Sequence, residues 1–67
     1  MNISAKFGRK VKEIRLKKDM SQNDLAKKLR VSASYVSKIE RGIQNPSLRG
    51  IEKIAKALRV NIWELLK

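Results

Sequence analysis

The chain has 67 residues, of which 17 are Lys or Arg and 6 are Asp or Glu, and its net charge is +11. Cysteine and histidine are both absent, which excludes thiolate nucleophiles, imidazole bases and the usual zinc ligands. A chain this short forms a single domain, here residues 1–67, and buries only about 60% of the surface that it exposes when unfolded, so we expect no enzyme and no metal or cofactor site.

The net charge of the chain predicts a class of partner, and the length of its apolar runs predicts where the chain is found. A net charge of +11 on so small a domain favours a polyanion, either nucleic acid or an anionic membrane surface; the alternative is that it only keeps the chain soluble. No apolar run approaches the ~20 residues of a membrane span, and the N terminus has no apolar leader. We therefore expect a cytoplasmic chain that crosses no membrane.

The first two helices are marked by apolar spacing and by a cap. Apolar residues three or four positions apart define a first helix that ends near Lys18; its inner face consists of Ile3, Phe7, Val11 and Ile14. Ser21 caps a second helix over residues 22–29, and Asp24 forms a near capping box with it, where Glu or Gln is usual. The inward residues of this helix are Leu25, Ala26 and Leu29.

A third helix, expected over residues 33–41, follows after a gap of about three residues, the turn length typical of a helix-turn-helix. Ser32 caps it, Val36 and Ile39 face inward, and Gly42 ends it because glycine adopts a left-handed conformation at no steric cost. The second helix of such a motif lies in the major groove of DNA. The spacing therefore predicts that residues 33–41 read base edges.

Two more helices complete a compact five-helix, all-α bundle. Ser47 caps a fourth helix whose inner face carries Leu48, Ile51, Ile54, Ala55 and Leu58. Asn61 and Glu64 begin a short fifth helix, in which the residues expected to share the core are Ile62, Leu65 and Leu66. Trp63 then stands near the outside.

An exposed Trp at the end of a small domain is typical of an interface; the alternative is a ring that lies on the bundle as a lid. We expect a two-fold homodimer that places two recognition helices about 34 Å apart, one turn of B-DNA, on a palindromic or nearly palindromic operator. The predicted interface consists of Val60, Asn61, Ile62 and Trp63.

The outer face of the third helix carries the candidate base contacts, which are Ala33, Ser34, Ser37 and Lys38. Ser can donate or accept, Ala can contact a thymine methyl, and Lys can donate to guanine. Candidate phosphate contacts flank the groove, at the start of the second helix and after the third; they are Ser21, Gln22, Tyr35, Arg41 and Asn45. Alternatives stay open: Lys38 contacts phosphate only, Tyr35 is an edge-of-core aromatic, and Lys27 and Lys28 form a solvated face.

These residues resemble the Cro and phage-repressor type of helix-turn-helix domain, the Xre or lambda-repressor-like family. The resemblance covers nearly the whole chain and is carried by Ile14-Arg15, Ser21-Gln22, Leu25-Ala26, Val31-Ser32, the run from Tyr35 to Gly42, Asn45-Pro46-Ser47-Leu48, Ile54-Ala55, Leu58, Val60, Leu65 and Leu66. It implies operator binding, usually as a dimer, and repression or activation of transcription. It also implies that Gln22 and the base-contact set face the groove.

The resemblance implies a structural ion pair between Arg15 and Glu40, joining the first and third helices. Three positions depart from the family pattern. Arg30 and Arg59 stand where Gly usually follows a helix, and Gly50 lies early inside the fourth helix. None of the three removes a residue expected to face DNA, so they bear on local stability.

Three functional classes follow from this sequence. The first is a stand-alone operator binder, such as a phage-type repressor, a restriction-modification controller or an antitoxin. The second is an adaptor that uses the same fold to contact a protein. The third, a basic amphipathic segment on a membrane surface, requires one continuous apolar stripe, whereas this chain has five separate inward stripes.

Overall fold

A computed structural model describes residues 3–67; Met1 and Asn2, which the predicted domain includes, lie outside the described residues. Within this range the chain forms five helices and no strand: α1 (Ile3–Lys17), α2 (Gln22–Leu29), α3 (Ala33–Glu40), α4 (Leu48–Leu58) and α5 (Ile62–Leu66). The predicted all-α, five-helix fold is confirmed. Helix α1 packs on α3 and α5, α2 packs on α3 and α4, and α4 packs on α5. None of these helices is long and apolar enough to span a membrane.

The predicted helix caps are confirmed. Before each of α2 to α5, a side-chain oxygen accepts a hydrogen bond from a backbone N–H of the first turn; the capping residues are Ser21, Ser32, Ser47 and Asn61. In the capping box of α2, the N–H of Ser21 donates to Asp24 Oδ2 and the N–H of Asp24 donates to Ser21 Oγ, both at 2.9 Å. The hydrogen bond from the Ser21 backbone is the largest cause of a lowered pKa at the Asp24 carboxyl, and the hydrogen bond with the Ser21 side chain lowers that pKa further. The box is therefore fully formed at neutral pH and weakens only as the pH falls through that lowered pKa.

Helices α1 to α4 all end in the same motif, a left-handed residue followed by a residue whose N–H returns to the carbonyl five positions back. The left-handed residues are Asp19, Arg30, Gly42 and Arg59, with φ of 55°, 60°, 76° and 57°. The returning bonds measure 3.0 to 3.1 Å and run from Met20 to Arg15, Val31 to Ala26, Ile43 to Lys38 and Val60 to Ala55. Each non-glycine residue in this conformation costs about 1–2 kcal/mol. The stop at Gly42 is as predicted, and Arg30 and Arg59, which stand where Gly usually follows a helix, both adopt the left-handed conformation. The turn at Asp19 had no signal in the sequence.

The core lies where the helices meet and consists of Phe7, Val11, Ile14, Leu25, Ala26, Val36, Ile39, Ile54, Ala55, Leu58 and Leu65. All of these residues were predicted to face inward. Leu29, Ile51 and Ile62 are half-buried against the core.

Three predicted core residues are exposed. Ile3 and Leu48 each have 83% of their surface exposed, and Leu66 has 51%. Ile3 and Leu48 are the first residues of α1 and α4, and Leu66 is the last residue of α5. Leu66 lies about 100° around α5 from the buried Leu65, and five residues are too few to bury two adjacent positions. The periodicity prediction was therefore wrong at helix ends and correct in helix interiors.

Candidate DNA-binding site

Helix α3 exposes polar side chains on one face and buries apolar side chains on the other. Val36 and Ile39 are each only 1% exposed and fix the rotation of the helix about its axis. Ser34 and Lys38 are exposed, as expected for residues that reach base edges. The other two candidate base contacts, Ala33 and Ser37, are half-buried. A ligand can therefore approach Ser34 and Lys38 directly, while the two half-buried residues lie deeper on the same helix.

The candidate phosphate contacts differ in exposure. Ser21, Arg41 and Asn45 are exposed, whereas Gln22 and Tyr35 are half-buried. Tyr35 packs against the core, which supports its alternative interpretation as an edge-of-core aromatic. Its ring nevertheless lines an open cleft beside the start of α4, so that its surface is shared between core and solvent.

The ion pair implied by the family resemblance is present and buried. Arg15 Nε donates to Glu40 Oε2 at 2.6 Å and Arg15 Nη2 donates to Glu40 Oε1 at 3.1 Å. The two residues are 6% and 7% exposed. This two-point geometry is the strong form of an arginine–carboxylate pair, and it joins α1 to the C-terminal end of α3.

Two hydrogen bonds that were not predicted extend the ion pair, one to the turn before α2 and one to α2 itself. Arg15 Nη1 donates to the carbonyl of Met20 at 2.6 Å, and Gln22 Nε2 donates to Glu40 Oε1 at 3.0 Å. Gln22 was predicted to contact phosphate, and the structure places its amide on Glu40. An amide nitrogen has two hydrogens, so this bond leaves the second available. One buried carboxylate thus positions groups from α1 and α2 beside α3.

Gly8 is a positioning residue that the sequence analysis missed. A Cβ atom at this position would lie 2.3 Å from the carbonyl oxygen of Ile39 and 2.7 Å from that of Glu40. Only a residue without a side chain lets α1 approach the end of α3 this closely. An isolated glycine inside a helical pattern usually has such a packing reason, and that was the available signal.

A second close approach lies beyond the end of α3. A Cβ on Gly42 would lie 2.8 Å from the Cα of Ala5. Nearby, the hydroxyl of Ser4 donates to Oδ1 of Asn45, one of the candidate phosphate contacts. The first turn of α1 therefore supports both the end of α3 and the loop that follows it.

The described residues contain no group of His, Cys, Asp and Glu side chains that could hold a metal ion. Among them, every buried side-chain nitrogen and oxygen has a hydrogen-bond partner. The polar groups left for a ligand therefore lie on the surface, and those of α3 include the exposed Ser34 and Lys38. The arrangement suits recognition of an extended anionic surface.

Comparison with known proteins supports this interpretation. A sequence model of the helix-turn-helix family matches residues 11–65. Control protein C.BamHI of Bacillus amyloliquefaciens is 52% identical over 66 residues, which make up 97% of this chain and 82% of that protein. The transcriptional regulator SinR of Bacillus subtilis (strain 168) is 42% identical over 61 residues, 90% of this chain and 55% of SinR.

A solved structure shows the same fold. The restriction-modification controller protein C.AhdI from Aeromonas hydrophila superposes with a TM-score of 0.87 at 43% sequence identity, and the match covers 91% of this chain and 92% of that one. The overall fold is therefore shared with a restriction-modification controller protein.

Proposed function

The chain belongs to the helix-turn-helix family of DNA-binding transcriptional regulators, and we propose that it is a restriction-modification controller that binds its operator as a homodimer. Residues 1–67 act as one DNA-binding domain in the cytoplasm. Of the three contexts open from the sequence, this one is supported by the similarity to C.BamHI and C.AhdI. Both matches extend over more than four-fifths of the related chain.

The observation that carries the proposal is the pair of exposed residues on α3. Ser34 and Lys38 are exposed on a helix whose opposite face is fixed in the core through Val36 and Ile39. A rigid helix that presents short polar and cationic side chains fits the major groove. Ala33 and Ser37, which are half-buried on the same helix, complete the proposed base contacts.

The proposed phosphate contacts flank this helix on two sides. At the start of α2, Ser21 and Gln22 lie beside backbone N–H groups that have no partner within the helix, where the helix dipole favours an anion. The amide nitrogen of Gln22 donates one hydrogen to Glu40 Oε1 at 3.0 Å. The second hydrogen of that amide is proposed to reach a phosphate. On the other side, Arg41 and Asn45 are exposed and Tyr35 presents its hydroxyl at the edge of the core.

The function is tested by selecting bound fragments from random DNA duplexes and measuring affinity for the selected site at increasing salt. If the phosphate contacts proposed here number about six per dimer, they contribute about −5 to the slope of log K against log salt. Lys38→Ala is expected to relax specificity at one base pair, at a cost of about 1–3 kcal/mol. Arg41→Ala is expected to weaken binding equally on all sequences and to reduce the slope by about 1 per protomer, about 2 for the dimer.

These two variants separate base reading from phosphate contact. If Lys38→Ala weakens all sequences equally, Lys38 contacts phosphate only. Lys12→Ala, an exposed change on α1, serves as the control and is expected to bind like the parent. Failure to enrich any sequence, together with a flat salt dependence, contradicts operator binding and favours the protein adaptor.

The dimer is proposed to form through α5 and the residues before it. Trp63 is 68% exposed, which favours an interface over the alternative of a lid packed on the bundle. Val60 and Ile62 are half-buried against the core, and Asn61 caps the helix by accepting from the N–H of Trp63. The ring of Trp63 therefore projects from a fixed backbone, as an interface anchor does.

Sedimentation at high micromolar concentration tests the dimer. The parent chain is expected to have the mass of two copies, and Trp63→Ala is expected to have the mass of one with an unchanged far-UV spectrum. Leu16→Ala removes another large exposed apolar side chain, 55% exposed on α1, and is expected to leave the dimer intact. A parent chain that sediments as a monomer at this concentration rules the dimer out.

A further inference from the structure

A cleft of about 480 Å³ lies between the end of α2 and the outer side of α4, away from the base-reading residues of α3. Four of the six residues that line it are cations and none is acidic; the cations are Lys28, Arg30, Lys53 and Lys56. We refer to it as the cationic cleft. Four like charges facing one cleft repel one another, so that an anionic ligand is favoured there.

The cationic cleft continues into a second cleft of about 190 Å³. Leu29 and Lys53 line both. The second cleft also contains Tyr35, a proposed phosphate contact, and Ser47, the cap of α4. Its lining adds one further cation, Arg49, and no acidic residue, so the two adjoining clefts form a positive surface from Tyr35 on α3 to the outer side of α4.

Arg30 is the cation of this cleft that lies in the turn between α2 and α3. It adopts φ 60° and ψ 43° as the C-cap of α2, a conformation in which glycine is the relaxed residue. The chain thus has a strained, charged residue at a position that favours an uncharged one, and that residue lines the cationic cleft. Asp19 and Arg59 adopt the same left-handed conformation and line neither cleft, so what distinguishes Arg30 is its position in the cationic cleft.

We propose that the cationic cleft binds the sugar-phosphate backbone of DNA next to the segment read by α3. This inference rests on the proposed function, because it takes the flank of α3 as the part that meets DNA. Lys53 and Lys56 lie on adjacent turns of α4, about 5–6 Å apart at their Cβ atoms, and can therefore contact successive phosphates. Lys28 and Arg30 line the facing wall.

The continuity of the clefts favours DNA over an acidic protein as the occupant. A phosphate backbone that meets Tyr35 in the second cleft can extend along the same positive surface to Lys53, which both clefts share. An acidic peptide would have to fit beside the bound duplex. The contact is to phosphate, so it adds affinity without sequence preference.

A pair of arginine variants tests the cleft with matched changes. Arg30→Gly and Arg59→Gly each remove one charge from an exposed, left-handed helix cap, φ 60° and φ 57°, and Arg59 lines neither cleft. Both variants are expected to melt no lower than the parent because glycine relieves the strain. On a random-sequence duplex, Arg30→Gly is expected to reduce the salt slope by about 1 per protomer, and Arg59→Gly to leave it unchanged.

A second pair extends the test to α4. Lys53→Gln with Lys56→Gln is expected to reduce the slope by about 2 per protomer. The charge-matched control, Lys12→Gln with Lys18→Gln, changes two exposed residues that line neither cleft and is expected to have the slope of the parent.

The inference is wrong if each cleft variant has the same salt slope as its control. It is also wrong if the cleft variants lose binding to polyglutamate while their DNA binding is unchanged, because the cleft then binds an acidic protein. The random duplex separates this inference from the proposed function. A parent chain that enriches no operator fails as a specific regulator, whatever the slopes on random DNA show.

Discussion

Replacing Arg15 with alanine is expected to unfold most of the chain at room temperature. The change removes both arginine hydrogen bonds from the carboxylate of Glu40, which is 7% exposed and keeps the bond from the amide of Gln22. Removing one member of a buried ion pair costs about 3–5 kcal/mol. A single core in a domain of this size rarely supplies more than about 3–5 kcal/mol of net stability, so the loss is comparable to the whole free energy of unfolding.

A thermal melt followed by far-UV circular dichroism checks this result. Lys12→Ala, at an exposed position of the same helix, is the control and is expected to melt with the parent. Arg15→Met combined with Glu40→Leu is expected to recover most of the stability, because replacing both members of a buried pair by apolar residues is often neutral or stabilising. An unchanged midpoint for Arg15→Ala contradicts a structural role for the pair.

The double variant also separates folding from binding. Gln22 donates to Glu40, so Leu at position 40 removes the group that holds the Gln22 amide. If Gln22 contacts phosphate as proposed, the folded double variant binds all DNA sequences more weakly. The buried pair would then have two effects, stabilising the junction of three helices and orienting a contact for DNA.

The caps, the helix interiors and the helix-turn-helix spacing could be predicted because their physical causes are local. Ser21 and Asp24 form their box within four residues of chain, and the inward positions of α3 follow from its periodicity. The Arg15–Glu40 pair spans 25 positions, and no local pattern predicts it; only the resemblance to a family implied it.

The rest of the site could not be predicted because it depends on how the helices meet. A hydropathy pattern does not distinguish Leu65 from Leu66, but the five-residue helix α5 buries Leu65 and leaves Leu66 exposed. The bond from Gln22 to Glu40 depends on the angle between α2 and α3. The role of Gly8 depends on the carbonyl groups of a helix more than 30 residues further along the chain.

Gly8→Ala is expected to destabilise the fold, although alanine is the better helix former by about 1 kcal/mol. The new Cβ would lie 2.3 Å from the backbone oxygen of Ile39 and 2.7 Å from that of Glu40. Backbone atoms cannot move aside by changing a rotamer, so α1 and α3 must separate. Overpacking of this kind costs about 1–3 kcal/mol. In a domain of this size, each 1 kcal/mol lowers the melting temperature by about 4–8 °C.

Gly50→Ala is the matched control, since Gly50 also lies inside a helix. Its added Cβ would meet the Cβ of Pro46 at 3.0 Å and Ser47 Oγ at 3.5 Å, contacts that a shift of a few tenths of an ångström in the loop before α4 relieves. The helix propensity of alanine then offsets the crowding, and the melting temperature is expected to change little. Equal melting temperatures for Gly8→Ala and Gly50→Ala contradict the close-packing role of Gly8.

The same substitution connects packing to recognition. The displaced carbonyl groups belong to the last turn of α3, one to two positions after Lys38, so a shift there moves the proposed base contacts relative to the phosphate contacts at the start of α2. Phosphate contacts are available on every sequence, so their loss lowers affinity for operator and random DNA alike, whereas base contacts contribute only on the operator and require hydrogen-bond geometry. Gly8→Ala is therefore expected to lower affinity for the selected operator more than affinity for random DNA. A uniform loss on both would mean that the variant only reduces the fraction of folded protein.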